Sequence, residues 1–221
     1  RQRQMCIRDS MGTVKSLLLG MCFVLGACTS QTSTVQTTEK GTQWEWQNGT
    51  IVVKTPERPA GQKSVLGLTT PKLEAVRVGF VGLGMRGPGA VERFTYILGT
   101  QVVALCDYEE ARADKCQELL KKASMPKAAI YSGDKGYEEL CKRDDIDLVY
   151  IAADWLHHFP VAKCALENGK NVAIEVPSAM NLQECWDLIN LSESTRKHCF
   201  ILENCCYDLS LIHISEPTRQ A

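Results

Sequence analysis

The sequence predicts an α/β protein built on a doubly wound parallel sheet. Three observations point there. Short apolar runs alternate with longer amphipathic stretches over residues 76–203, the pattern of strand and helix units joined by right-handed crossovers. The run 148–152 is apolar throughout, as a parallel strand covered on both faces should be. A glycine-rich turn, Gly82-Leu83-Gly84-Met85-Arg86-Gly87, joins the first of these runs to the helix after it.

Each element has its own reason. Residues 76–81 form the first predicted strand. Residues 88–98 form a helix, with Pro88 near its first turn, where a missing N–H costs little. Residues 101–106 are the second strand, ending at Asp107, and 109–124 a charged helix. A short strand at 128–131 and a short helix at 137–143 precede the fourth strand, 148–152. Residues 160–168 read as a helix stopped at Gly169. Residues 171–174 are the fifth strand, ending at Glu175; 182–197 are a helix and 199–202 the sixth strand.

Composition excludes several function classes. Apolar residues make up 44% and charged residues 23% of 221, an ordinary globular balance. The net charge of −1 argues against a nucleic-acid partner held by bulk positive charge. No apolar run reaches the ~20 residues of a membrane-spanning helix. There are 11 cysteines, and none of the eight from Cys106 onward forms a C-x-x-C pair. They read as small buried apolar residues, and no metal site is expected.

The N-terminal region reads differently. Residues 1–10 and 209–221 resemble translated adapter read-through, so both are set apart as non-native and the protein is expected to continue past Asp208. Residues 11–28 carry Lys15, an apolar stretch and Leu25-Gly26-Ala27-Cys28, an export signal that resembles the bacterial lipoprotein box. Lipidation of Cys28 is expected, with the protein exported and anchored to the bacterial cell envelope by lipid alone. Residues 29–73 read as a tether and an N-terminal arm, in which Trp44 and Trp46 are packing anchors. Residues 74–208 are the main domain.

The chemistry gathers at the strand ends. Gly82 permits a tight turn, Gly84 lets backbone approach a pyrophosphate, and Gly87 lets the following helix pack close to the sheet. The helix N-terminus offers N–H groups and a positive dipole end to phosphate. Asp107 follows Gly87 by 20 residues, the place of an acid that accepts from the adenosine ribose. Its charge would repel a 2′-phosphate, so NAD is expected over NADP. Together these features predict a Rossmann NAD-binding domain. The loop Ala153-Asp154-Trp155-Leu156-His157-His158 follows the fourth strand and should lie on the nicotinamide side. His157 is a candidate acid–base group; the bland reading has one histidine packing and the other lining the cofactor. Glu175-Val176-Pro177 closes the fifth strand, and Asn204, after the sixth, is a candidate for the nicotinamide carboxamide.

Together these residues resemble the Gfo/Idh/MocA oxidoreductases, and more closely glycoside hydrolase family 109, the NAD-dependent α-N-acetylgalactosaminidases. The resemblance covers about residues 44–208. It implies that Met85, Arg86, Asp107, Trp155, Leu156, His157, His158, Glu175, Val176 and Asn204 contact NAD. It implies a second α/β domain that binds terminal N-acetylgalactosamine glycans and is missing from this chain, leaving the fragment inactive and an oligomer open. The implied reaction is oxidation at C3 of the sugar, elimination, water addition and re-reduction. Sugar dehydrogenases of this layout carry Glu-Lys-Pro where this chain has Glu175-Val176-Pro177, which counts against the alternative of an NAD-dependent sugar or polyol dehydrogenase. A third alternative, of another class, is a non-catalytic NAD-binding lipoprotein.

Overall fold

The computed structural model describes residues 36–37, 43–53 and 55–203. The chain divides into two units, residues 1–61 and 62–221. In the first unit, β1 (Gln36–Thr37), β2 (Gln43–Gln47) and β3 (Thr50–Val53) form an antiparallel sheet in that order. Gln47 pairs with Thr50, so Asn48 and Gly49 are the two turn residues, at φ 49° and 78°. Two consecutive positive φ values match the twist of a tight hairpin, which is why Asn-Gly occupies it. Trp46 is 58% exposed, and the Trp44 side chain lies outside the described residues.

The second unit carries β4 (Val76–Val81), α1 (Gly87–Phe94), β5 (Thr100–Asp107), α2 (Glu110–Lys122), β6 (Ala129–Ser132), α3 (Gly136–Cys141), β7 (Leu148–Ile151), α4 (Trp155–Glu167), β8 (Asn171–Ile174), α5 (Leu182–Thr195) and β9 (Cys199–Ile201). All six strands are parallel, in the order β6-β5-β4-β7-β8-β9. The chain runs outward from β4 to β6, returns, and runs outward again from β7. The reversal lies between β4 and β7, where doubly wound sheets bind ligands.

Period-two alternation splits the core in two. Val81, Val149, Ile151, Val172 and Ile174 pack with Leu140 of α3, Val161 and Leu166 of α4 and Leu188 of α5. Val78, Phe80, Tyr150 and Ala173 face the other way, with Val91 of α1 and Cys116 and Leu120 of α2. Phe80 stacks on Tyr150 at 5.0 Å, and Phe94 meets both rings edge-on at 5.2 and 5.8 Å. Such pairs are worth about 0.5–1.5 kcal/mol each beyond their burial. They fix α1 against the centre of the sheet.

Two helix boundaries differ from expectation by more than two residues. The helix expected at 88–98 stops at Phe94, and Leu98 is 99% exposed. The helix expected at 160–168 begins five residues earlier, at Trp155, because Asp154 caps it by accepting from the Leu156 N–H. Pro160 therefore lies inside α4. Its end is as expected: Gly169 at φ 73° and Lys170 return N–H bonds to Leu166 and Ala165, the paired C-terminal closure that favours glycine. Within this unit, Arg196 donates to the Lys63 and Ser64 carbonyls, and Val65 is buried. Part of the predicted arm thus lies against the end of α5.

Candidate functional site

Backbone bonds continue past the strands at their carboxyl ends. The Gly82 N–H donates to Cys106, Ala152 to Val81 and Glu175 to Ile151, at 2.8–2.9 Å. Asp107, Gly82, Ala152 and Glu175 therefore lie side by side along one edge. The sequence places chemistry-bearing residues at these strand ends, and the sheet brings them together.

The glycine turn is shaped by contact. Gly82 sits at φ 90°, and a Cβ there would lie 2.3 Å from the Ala153 nitrogen. A Cβ on Gly87 would lie 2.2 Å from the Gly82 carbonyl oxygen. Both positions are closed to any side chain. Gly84 differs: a Cβ there would meet only Arg112 Nη1, at 3.6 Å, so nothing inside the protein excludes a side chain. Gly84 leaves the outer face of the turn bare. No side chain caps α1, whose N-cap is Arg86. First-turn N–H groups of a helix have no partner within the helix, so this end can take a phosphate. The cradle fits a dinucleotide.

Asp107 holds the turn from below. Its Oδ2 accepts from the Leu83 N–H at 2.6 Å, and its Oδ1 from the Glu109 N–H at 3.0 Å. The residue is 6% exposed, and Arg112 Nη1 lies 3.5 Å from Oδ1. The carboxylate thus clamps the turn from inside, and each oxygen keeps a further acceptor position. Arg112, absent from the sequence-derived site, lies against both Asp107 and the turn. Its spacing of three from Glu109 on one helix was the available signal.

The run from Trp155 to His158 is the first turn of α4, not the loop expected. Trp155 and Leu156 are 60% and 73% exposed. The two histidines part company. His158 is 1% exposed, with Nδ1 against the Pro177 carbonyl at 2.6 Å and Nε2 against the Ala153 carbonyl at 2.9 Å. No polar atom of its ring is left over, so it braces the site from behind. The His157 side chain is half exposed, and its Nδ1 meets Asp154 Oδ2 at 2.6 Å. Burial works against ionisation of Asp154, but the His157 bond and two backbone N–H groups outweigh it and hold the carboxyl below its ordinary value. With Asp154 accepting at Nδ1, Nε2 is the basic atom of His157.

Glu175 is held by Tyr150, whose hydroxyl donates to Oε1 at 2.7 Å. Burial first, then this bond, pushes the Tyr150 phenol up to about 12. The place of Tyr150 in an apolar strand gives the sequence no hint of this role. Met85 and Val176 are 94% and 43% exposed, and Arg86 is exposed. Asn204 and Cys28 lie outside the described residues. No group of three metal-ligating side chains occurs among the described residues, and none of their helices is long and apolar enough to cross a membrane.

Residues 76–202 match the family model described as the oxidoreductase family with an NAD-binding Rossmann fold. The chain belongs to the Gfo/Idh/MocA oxidoreductase family. NAD is the cofactor of this Gfo/Idh/MocA fold. Among relatives, glycosyl hydrolase family 109 protein 4 of Phocaeicola vulgatus is 80% identical over 90% of this chain. A family 109 protein of Bacteroides thetaiotaomicron is 57% identical over 88%. The chain spans 39% and 41% of their lengths. A myo-inositol dehydrogenase of Lactobacillus casei, solved with NAD(H) and myo-inositol, shares the fold at TM-score 0.57 and 22% identity, over 66% of this chain and 42% of that one.

Proposed function

We propose that this chain is the NAD-binding part of a glycoside hydrolase that removes terminal α-linked N-acetylgalactosamine. The observation that carries the reading is the glycine turn at the sheet's reversal point, in a chain 80% identical to a family 109 glycosyl hydrolase. When bound, NAD supplies reversible oxidation of a ring hydroxyl, which acidifies the neighbouring C–H and opens an elimination route distinct from two-carboxylate hydrolysis.

The chain's own residues bind and orient. Gly82, Gly84 and Gly87, with Met85, Arg86 and the start of α1, hold the pyrophosphate. Asp107 keeps the turn in place through the Leu83 N–H. Tyr150 fixes Glu175, and His158 fixes the Pro177 carbonyl, so the segment from Glu175 to Pro177 is rigid where it meets the cofactor. Trp155, Leu156 and Val176 supply apolar surface that excludes water on the nicotinamide side, and Asn204 takes the carboxamide. His157, oriented by Asp154 at Nδ1, offers the Nε2 lone pair as a proton acceptor. We further propose that Cys28 is lipidated and tethers the protein to the cell envelope.

The test is release of the aglycone from an aryl α-N-acetylgalactosaminide by the protein carrying this domain, run in D2O. Release with deuterium incorporated at C2 of the sugar is expected. Release without incorporation would refute the elimination route. Net NADH formation from a free sugar, with no aglycone release, would favour the dehydrogenase instead.

A further inference from the structure

Two cysteines of the same core meet away from the cofactor site. Cys141 ends α3 and is buried, and Cys164 lies in the last turn of α4, half-buried at the rim of that core. The two helices pack on each other, and the Cys141 thiol donates a hydrogen bond to the Cys164 sulfur. Asn168, the C-cap of α4, brings Nδ2 to 3.7 Å from the same sulfur. Two donors therefore point at Cys164 Sγ. The bond from Cys141 foremost, helped by the charge of Lys142 and opposed by burial, Glu138 and Glu167, holds the Cys164 thiol below its ordinary value. Cys141 is pushed the other way, by the bond it donates and by burial, with Cys106 adding to the rise and Lys170 opposing it. An accessible sulfur that favours the thiolate, beside a buried thiol, is the division of labour that thiol–disulfide exchange requires.

We infer that Cys141 and Cys164 form a thiol–disulfide exchange site, which takes small disulfides as oxidant and closes to an internal bond between α3 and α4. The inference stands apart from the cofactor reading. The Cys164 thiolate attacks one sulfur of a disulfide RSSR; the S–S bond of the reagent breaks, one RS⁻ leaves, and a mixed disulfide forms at Cys164. Cys141 then loses its proton to water, its sulfur attacks Cys164 Sγ, and the second RS⁻ leaves. Two protein thiols are oxidised by two electrons, and RSSR is reduced to two RSH once the leaving thiolates take up the two released protons. The sulfurs are already in contact, so closure calls for side-chain adjustment and not for refolding. Cys106 does not compete as the attacking group, since it is 3% exposed and burial pushes its thiol up to about 12. The bond ties α3 to α4, the helix whose first turn carries Trp155 to His158.

The experiment is treatment of the folded chain with oxidised glutathione at pH 8, then alkylation with N-ethylmaleimide in urea, trypsin, and mass spectrometry without reductant. Tryptic peptides 136–142 and 164–170 carry one cysteine each. They are expected as one cross-linked species, with alkylation lost at both Cys141 and Cys164. In Cys141→Ser, Cys164 is expected to accumulate as the mixed disulfide with glutathione. In Cys164→Ser, Cys141 is expected to keep its thiol. Thermal melts confirm that both variants fold, and the parent decides the matter if one does not. A lasting glutathione adduct on Cys164 of the parent, with Cys141 alkylated, overturns the inference. So does a bond from Cys141 to Cys106, or a native chain that gives the same mixture of pairings as the chain unfolded in urea. A parent whose Cys164 does not react overturns it too, and leaves the cofactor site standing.

Discussion

Replacing glycines of the turn one at a time separates folding from ligand binding. In Gly82→Ala the new methyl would lie 2.3 Å from the Ala153 nitrogen and 2.4 Å from the Ala152 carbonyl carbon. Those atoms are backbone at the end of β7, so the sheet itself must open. A left-handed φ of 90° adds about 1–2 kcal/mol for a residue with a Cβ. Forced displacement of packed groups adds about 1–3 kcal/mol. The sum, about 2–5 kcal/mol, corresponds at ~2–4 °C per kcal/mol to a Tm lower by about 4–20 °C. Gly84→Ala meets only the flexible end of Arg112 at 3.6 Å, so its Tm should move by less than about 2 °C. Its NADH affinity should nevertheless fall, since the methyl stands where the turn offers its bare face to phosphate. Thermal melts and NADH titration on both variants decide it. A Gly82→Ala melt equal to the parent's, or a Gly84→Ala melt as low as that of Gly82→Ala, would refute the division of roles.

The other predictions concern side chains around the same sheet. His158→Ala should cost about 3 kcal/mol in urea unfolding, because it removes the ring N–H that one of the two facing carbonyls accepts and opens a cavity, whereas exposed His157→Ala should stay within about 0.5 kcal/mol; equal losses would contradict the bracing role. Asp147 accepts from the Arg77 backbone N–H, Nε and Nη2 at 2.7–2.9 Å, and those Arg77 bonds hold its carboxyl below the ordinary value despite burial. A depressed folded pKa gives stability that is present above the unfolded value of about 3.9 and lost as pH falls through the folded one. Asp147→Asn should thus be less stable than the parent by about 1–2 kcal/mol at pH 7, and the gap should shrink in urea titrations near pH 3. Burial pushes the Cys106 and Cys116 thiols up to about 12 and 11, while a hydrogen bond from Cys141 lowers half-buried Cys164. Iodoacetamide at pH 8, read by mass spectrometry, should label Cys164 well before Cys106 or Cys116; early labelling of Cys106 would count against the closed core.

Much of the fold is legible in the sequence, and the exceptions have physical causes. Residues 76–81 and 171–174 are strands with the expected limits, since apolar runs bounded by glycine and charge leave little choice. Gly169 ends its helix as read. The helix read over 160–168 starts late, since the decisive signal is the N-cap carboxylate of Asp154, six residues before Pro160. The early stop at Phe94 was missed because Tyr96, Ile97 and Leu98 look like a continuing apolar face; in the fold all three are exposed. At the site, the glycine roles at 82 and 87 follow from the motif alone. That Asp107, His158 and Glu175 also bond to Leu83, Pro177 and Tyr150 does not, since those partners lie 24, 19 and 25 residues away. Tyr150, 25 residues from Glu175, is a case no local pattern reveals.

The position of β4 at the centre of the sheet also governs when the domain can form. Its two neighbours are made at different times. β5 follows at once, but β7 follows much later, and the bonds that lock it, Arg77 to Asp147, span 70 residues. At a synthesis rate of ~5–20 residues per second, that interval is about 4–14 s. Through it, the growing polypeptide carries the β4 edge, with Phe80 and Gly82 beside it, unpaired on one flank. The glycine turn cannot close against Ala153 until that residue has been made. The binding cradle is thus among the later features to exist, completed only once the second half of the sheet returns to meet the first.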